Sequence, residues 1–278
     1  MRRRVERFKG CDDVDRRPIN RRPSSRPQLD FDDAVYGIHA VNEALAAGET
    51  LREVHVAQDR RNDSALRELL ANAEERSIAV RFEPREYFTR FPYRAHQGVV
   101  AMAEPFEYAT LDEVLWQRSS KGPALFVVLD HLTDPHNVGA ILRTAECAGA
   151  DAVILPDRRS AGVNATVRKA AAGAAARVRV ARVGNLATAI RTLKKAGVWV
   201  VGADAEAPTS MDQGDFDRDL ALVVGSEGSG LAQLVRRECD YLVRIPMAGR
   251  LGSLNASVAT GILLFETLRQ RSRRLRVN

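Results

Sequence analysis

Arg244-Ile-Pro-Met-Ala-Gly-Arg-Leu-Gly-Ser-Leu-Asn-Ala-Ser-Val-Ala-Thr-Gly-Ile-Leu-Leu-Phe-Glu266 decides the reading of this chain. It begins at the end of a short apolar strand predicted over 241–245, and Pro246, which has no ladder donor, stops that strand. Gly249 and Gly252 let the backbone turn, and Ser253, Asn255 and Ser257 crowd together after them. Val258, Ile262 and Phe265 then recur at spacings of four and three, which predicts a helix. A strand, a glycine-bearing loop and a polar helix start expose backbone N–H and C=O groups to a small polar ligand. The same residues also make an ordinary helix N-cap, with Ser253 or Asn255 satisfying free amides. The stretches upstream must decide between the two.

A second loop, Gly225-Ser-Glu-Gly-Ser-Gly-Leu231, follows an apolar strand predicted over 220–224. Its glycine order is not that of a dinucleotide fingerprint, and no Lys-Ser/Thr follows to make a Walker loop. One carboxylate in a glycine loop suits a ligand with hydroxyls or a positive centre better than a polyphosphate. A third loop, Asp130-His-Leu-Thr-Asp-Pro-His-Asn-Val-Gly-Ala-Ile-Leu-Arg143, follows the continuous apolar run 124–129, which is typical of a buried parallel strand. Asn137 stands at the N-cap position of a helix over 138–148, with Val138, Ile141, Leu142 and Ala145 as its buried stripe and Arg143 off it. Further strands are predicted at 152–155, 177–183 and 198–202, and helices at 165–173, 186–196 and 231–237. This alternation predicts an α/β fold with a mostly parallel sheet and helices on both faces. All three loops stand at C-terminal strand ends, where such sheets bind ligands.

Residues 105–122 break the composition and read as a linker carrying a short helix at 111–117. A smaller α/β domain is predicted over 33–104. Tyr36-Gly-Ile-His-Ala-Val41 leads into a helix ending near Gly48, strands lie at 51–57, 78–82 and 98–103, and helices at 64–76 and 84–90. His39, His96 and Gln97 are placed to touch a ligand, and none is assigned to catalysis. Residues 1–32, rich in Arg, Asp, Pro and Ser, read as a disordered basic tail.

Charge is unevenly placed. Residues 1–28 hold ten Lys or Arg against four Asp or Glu, a net of +6 that equals the net charge of all 278 residues. The other 250 residues balance at 32 of each sign. Such a tail suits polyphosphate contact, or is a solubilising extension. The folded remainder can still hold a local basic groove, if the fold brings Arg143, Arg168, Lys169 and Arg250 together. Cys11, Cys147 and Cys239 are far apart, forming neither a disulfide framework nor a metal-binding pair, and a cytoplasmic location is expected. No apolar run approaches the roughly 18 residues of a membrane span, and no signal peptide is expected.

Taken together, D-P-H-N-V-G-A-I-L-R, G-S-E-G-S-G-L and I-P-M-A-G-R-L-G-S-L-N-A-S resemble, in order and spacing, the three signature motifs of the SpoU (TrmH) branch of the SPOUT RNA methyltransferases. The resemblance extends to 160–173, with Asn164 and Lys169. Tyr36-Gly-Ile-His-Ala-Val41 and His96-Gln-Gly-Val-Val-Ala101 are similar to the substrate-binding domain of the RlmB type, which 2′-O-methylates a guanosine of 23S ribosomal RNA. Two positions depart from the family pattern: Gly252 before Ser253, and Ala256, where Val is common.

The resemblance implies a SPOUT domain over 123–278 with a parallel sheet and a trefoil knot, beside a small L30e-like domain. It implies S-adenosylmethionine (AdoMet) as methyl donor, held at Gly225, Ile245, Met247, Ser253 and Leu254. It implies a homodimer through the C-terminal domain with a shared active site, ribosomal RNA as partner, and no metal. Asn137, Arg143, Glu227, Ser253 and Asn255 match the family's catalytic positions for attack by a ribose 2′-hydroxyl. An arginine, with a pKa above about 12, is a poor base. Arg143 therefore reads as a clamp on the adjacent phosphate and a stabiliser of the developing alkoxide. The others orient ribose and donor, and Glu227 either accepts the proton or anchors Arg143. The alternatives are a transfer RNA enzyme, an rRNA adenosine methyltransferase of antibiotic resistance, and an RNA-binding module without catalysis. The N-terminal domain argues against the first, and the joint retention of the five polar residues against the last.

Overall fold

The architecture is that of a computed structural model, which describes residues 31–118 and 122–277. The tail expected over 1–32 lies outside these residues up to position 30, and at its last two positions the expectation fails. Phe31–Asp33 forms a 3-10 turn. The Phe31 ring meets Phe91 edge-on at 5.3 Å, and the Tyr93 hydroxyl donates to the Phe31 carbonyl at 2.9 Å. Partners some sixty residues downstream order this turn, which a local reading cannot see.

The first sheet is built from β1 (Ala34–Tyr36), β2 (Leu51–Ala57), β3 (Ala79–Glu83) and β4 (Val99–Ala103), with α1 (Ile38–Ala46) and α2 (Arg67–Glu75) packed on it. Its order is β1-β4-β2-β3; β4 is antiparallel to β1 and β2, and β2 runs parallel to β3. Leu45, Val54, Val56, Leu66 and Leu69 form its core. Thr110 and Glu113 form a capping box that starts α3 (Leu111–Trp116).

The second sheet alternates β5 (Leu125–Asp130), α4 (Pro135–Cys147), β6 (Ala152–Pro156), α5 (Ala165–Ala171), β7 (Arg179–Val183), α6 (Leu186–Lys195), β8 (Trp199–Ala203), β9 (Thr209–Ser210), β10 (Leu220–Gly225), α7 (Gln233–Glu238), β11 (Tyr241–Arg244) and α8 (Ala256–Val277). Its order is β7-β6-β5-β10-β8-β11-β9, and each neighbouring pair is parallel. The continuous apolar run of β5 follows from burial on both faces. Leu125, Val127 and Leu129 meet the layer of α4, α5 and α8, whereas Phe126 and Val128 meet α3, α6 and α7. Each fully buried side chain of this kind contributes about 1.5–3 kcal/mol.

Several elements differ from the expectation. α4 starts at Pro135, because the Asp134 carboxylate accepts the His136 amide at 3.0 Å and proline fits the first helical position. Asn137 is therefore inside the first turn and is not the cap. β7 starts at Arg179 because Ala174–Ala176 forms a 3-10 turn. β9, two residues long, was not anticipated.

Candidate active site

The C-terminal ends of β5, β10, β8 and β11 lie side by side, with Gly225 opposite Asp130, Val223 opposite Gly202 and Val243 opposite Ala203. The loop leaving β10 is closed by two backbone bonds, Ser226 N–H to Gly230 C=O at 3.2 Å and Gly230 N–H to Ser226 C=O at 2.9 Å. Gly225 makes that closure possible: a Cβ there would stand 2.2 Å from the Gly230 carbonyl. Gly228 and Gly230 take φ of +86° and +62°, values that L side chains disfavour. Asp130, fully buried, accepts the Ala232 amide at 2.6 Å and fastens the loop's exit.

Around this loop lies a cavity of about 480 Å³. Gly225, Ile245, Met247, Ser253 and Leu254, the five residues matched to donor binding, all line it, together with Glu227. Ala203, Asp204, Glu206 and Arg236 line it too and were not anticipated. The available signal was positional, because Ala203 and Asp204 follow a predicted strand at the same edge of the sheet. Burial would raise the Asp204 carboxyl, but hydrogen bonds from Arg236, at 2.7 Å, and from the Glu206 amide hold it below the ordinary carboxylate range. An ionised carboxylate thus stands at the wall.

At one side of the cavity the three motifs meet in a hydrogen-bond net. Asn137 Nδ2 donates to Glu227 Oε1 at 2.8 Å. Asn255 Nδ2 donates to Asn137 Oδ1 at 2.9 Å and also to Glu227 Oε1. The Ala256 amide reaches the same carboxylate oxygen at 3.3 Å. Asn255 Oδ1 meanwhile caps α8, accepting the amides of Ser257 at 3.0 Å and Val258 at 3.2 Å. Asn137 is 8% exposed, so its amide is held in one orientation.

Arg143 does not join this net. It is exposed, six residues along α4 from Asn137, hence about 9 Å along the axis, and it is not among the residues lining the cavity. Arg168 and Lys169 are not free for a basic groove. Arg168 is buried and pairs with Glu49, and the Lys169 ammonium donates to the Ala95 carbonyl at 2.8 Å. Residues 36–41 and 95–98 do come together: Gln97 Oε1 accepts the Ile38 amide at 3.4 Å, and Lys169 lies over the Tyr36 ring. His96 accepts the Gly98 amide through Nδ1 at 2.9 Å. Burial, then the charges of Arg85 and Lys169, lower its pKa and favour the neutral ring. Among the described residues no His, Cys, Asp and Glu cluster is able to hold a metal, and no helix is long and apolar enough to cross a membrane.

Comparison with known proteins gives this geometry its context. Residues 124–265 match the SpoU rRNA methylase family, and residues 34–109 match the RNA 2′-O ribose methyltransferase substrate-binding family. A Staphylococcus haemolyticus protein named for the TrmH family of tRNA/rRNA methyltransferases is 42% identical over 86% of this chain and 96% of its own. The SpoU methyltransferase AviRb from Streptomyces viridochromogenes, solved with AdoMet, superposes with a TM-score of 0.71 at 26% identity, covering 86% of this chain and 90% of its own. The A. aeolicus TrmH/SpoU tRNA modifying enzyme superposes with a TM-score of 0.50 at 30% identity, over 59% of this chain and 82% of its own. The residues around the cavity fit AdoMet. The missing Cβ of Gly225 opens the backbone, Ile245 and Leu254 give apolar walls, and Asp204, Glu206 and Glu227 offer carboxylates to a cationic ligand. Two family matches, a relative aligned over most of both chains and a cavity suited to the methyl donor converge: the chain belongs to the SpoU (TrmH) family and is an AdoMet-dependent RNA 2′-O-ribose methyltransferase.

Proposed function

We propose that this enzyme methylates the 2′-hydroxyl of a guanosine in 23S ribosomal RNA, as a cytoplasmic homodimer. The observation that carries the rRNA reading is the β1–β4 sheet with its substrate-binding match over 34–109. The tRNA-modifying structure spans only 59% of this chain. The choice of guanosine rests on the resemblance of 36–41 and 96–101 to the RlmB type.

AdoMet, when bound, supplies a methyl group on a cationic sulfur. The 2′-oxygen forms a bond to that methyl carbon as the carbon–sulfur bond breaks, and the hydroxyl proton must leave. The bonds to Glu227 all fall on Oε1, which leaves Oε2 as the acceptor for that proton. Asn137 and Asn255 hold the carboxylate, and Ser253, on the cavity wall, orients the ribose or the donor. Leu251, Leu254, Val258 and Phe265 leave an apolar face exposed on α8 and the loop before it, and α4 packs along α8. A second copy docked there would cover the face and carry its Arg143 to the neighbouring cavity. In that position Arg143 clamps a phosphate and stabilises the developing alkoxide. The trefoil knot implied by the resemblance belongs to the same proposal, and the enclosure of one cavity by both 225–231 and 245–254 supports it.

Mapping 2′-O-methyl groups in 23S rRNA and tRNA from a deletion strain tests the assignment. The expected result is one guanosine of 23S rRNA that loses its methyl group and regains it when the purified enzyme and AdoMet are added. An unchanged 23S map with a methyl group missing from tRNA would overturn it.

A further inference from the structure

α5 lies between the two sheets, packing against β1 and α1 as well as against α4. Its Arg168 is only 4% exposed, a rare state for an arginine unless it is paired. The guanidinium pairs with Glu49, which follows α1, and donates through Nη2 to the Glu104 carbonyl, just after β4, at 2.9 Å. It also comes within 3.8 Å of Asp33, just before β1, and stands 5.6 Å from the centre of the Phe106 ring. One side chain of the methyltransferase part therefore gathers the beginning, the first loop and the end of the small sheet. Gly173, past the end of α5, lies against α1, where a Cβ would stand 2.9 Å from the Glu43 carbonyl.

On its other side α5 is locked to α4. A Cβ at Gly139 would stand 2.5 Å from the Ala170 Cβ and 2.8 Å from the Val167 carbonyl. Gly139 is two residues from Asn137, whose amide holds Glu227 and Asn255. Close contacts thus run without a break from the small sheet through Arg168 and α5 to the polar net at the cavity.

We propose that Arg168 is a positioning residue for methyl transfer. It fixes the small sheet relative to the catalytic net, so that RNA held on that sheet presents its target ribose to the cavity. The proposal rests on the RNA methyltransferase activity and not on which RNA is the target. Transfer requires near-attack alignment, and a displacement of about 1 Å costs roughly 10²-fold in rate. A segment such as 105–118 cannot by itself hold two parts of a chain to that tolerance. A planar fork that meets several acceptors at once can, whereas an ammonium cannot reproduce its geometry.

The test compares Arg168→Ala, Arg168→Lys and Glu49→Gln with the wild-type full chain on an RNA fragment carrying the target. Calorimetry with AdoMet counts intact cavities and gives donor affinity; kcat is then expressed per AdoMet-binding site and KM is measured for the RNA. Expected for Arg168→Ala is a donor affinity within about twofold of wild type, a KM within about threefold, and a kcat lowered by roughly 10²-fold. Arg168→Lys should regain part of kcat, and Glu49→Gln, which keeps an acceptor for the fork, should lose less than Arg168→Ala. An unchanged kcat per site in Arg168→Ala would overturn the proposal. So would a loss of donor affinity matching the loss of kcat in both Arg168→Ala and Glu49→Gln, because the arginine would then only hold the fold together.

Discussion

Asn137 changes meaning with its neighbours. Followed by an apolar stripe, it reads as a helix cap, yet Asp134 takes that place because Pro135 behind it can start the helix without an amide proton. The Asp-Pro pair was the signal to weigh more heavily. Released from capping, Asn137 gives both ends of its amide to the net with Glu227 and Asn255. Its loss leaves partners short of a hydrogen bond in a nearly buried place, at about 1–3 kcal/mol. Asn137→Ala should lower unfolding free energy by that amount and single-turnover methylation by more than about tenfold, since the net also holds Glu227, the proposed proton acceptor. Chemical denaturation and rapid quench measure the two. Gly225→Ala should abolish AdoMet binding in calorimetry, because the new methyl would stand 2.2 Å from the Gly230 carbonyl. Arg143→Ala should keep AdoMet affinity, since Arg143 does not line the cavity, yet lose transfer; normal turnover would remove it from the catalytic set. The five residues matched to the donor by resemblance fall on one cavity, and its glycines and strand ends were visible in the sequence. Asp204 was not, because an acid after a strand is ordinary until the register of β8 with β11 brings it to the same cavity.

At the scale of elements, α8 shows what periodicity can and cannot tell. Val258, Ile262 and Phe265 announced a helix, but the face that meets the chain's own core is carried by Ala256, Leu263 and Leu264. Val258 and Phe265 are 50% and 53% exposed. A helix apolar on two sides has a regular period whichever side is covered by its own chain, so the pattern finds the helix and leaves its partners open. A contiguous exposed apolar face on this helix is the mark of an interface. Phe265→Glu should shift the protein from dimer to monomer in sedimentation velocity and lower transfer with it, while the monomer keeps its unfolding transition. A dimer unaffected by this change would place the interface elsewhere. β5 was read correctly as a buried parallel strand, and β10 as a strand of the same mostly parallel sheet. β1 and β9, three and two residues long, carry no pattern of their own and exist because β4 and β11 offer them an edge.

For the whole molecule the remaining question is where general attraction to RNA resides. Three of the four residues considered for a basic groove are placed elsewhere: Arg168 and Lys169 are turned to the junction of the two sheets, and Arg143 stands away from the cavity. Many other arginines of the folded part face carboxylates, as Arg52 does Glu104, Arg85 Asp59, Arg191 Glu238 and Arg236 Asp204. Residues 1–28 carry ten basic groups to four acidic, a net of +6, and residues 267–278 add five arginines to no acid. Phosphate contacts add affinity and carry no base information. Deleting residues 1–28 should therefore weaken RNA binding at low salt and flatten its salt dependence. On single-stranded RNA the slope of log affinity against log salt should shrink by about 0.7 for each phosphate that is no longer neutralised. The methylated nucleotide should stay the same if, as proposed, its choice depends on how the small sheet presents RNA to the cavity. Titrations of full-length and truncated enzyme across a salt series, with mapping of the product, check both halves. Equal slopes would make the basic residues bystanders. A changed target would mean that they read RNA sequence or shape, and the small sheet would no longer account for selection by itself.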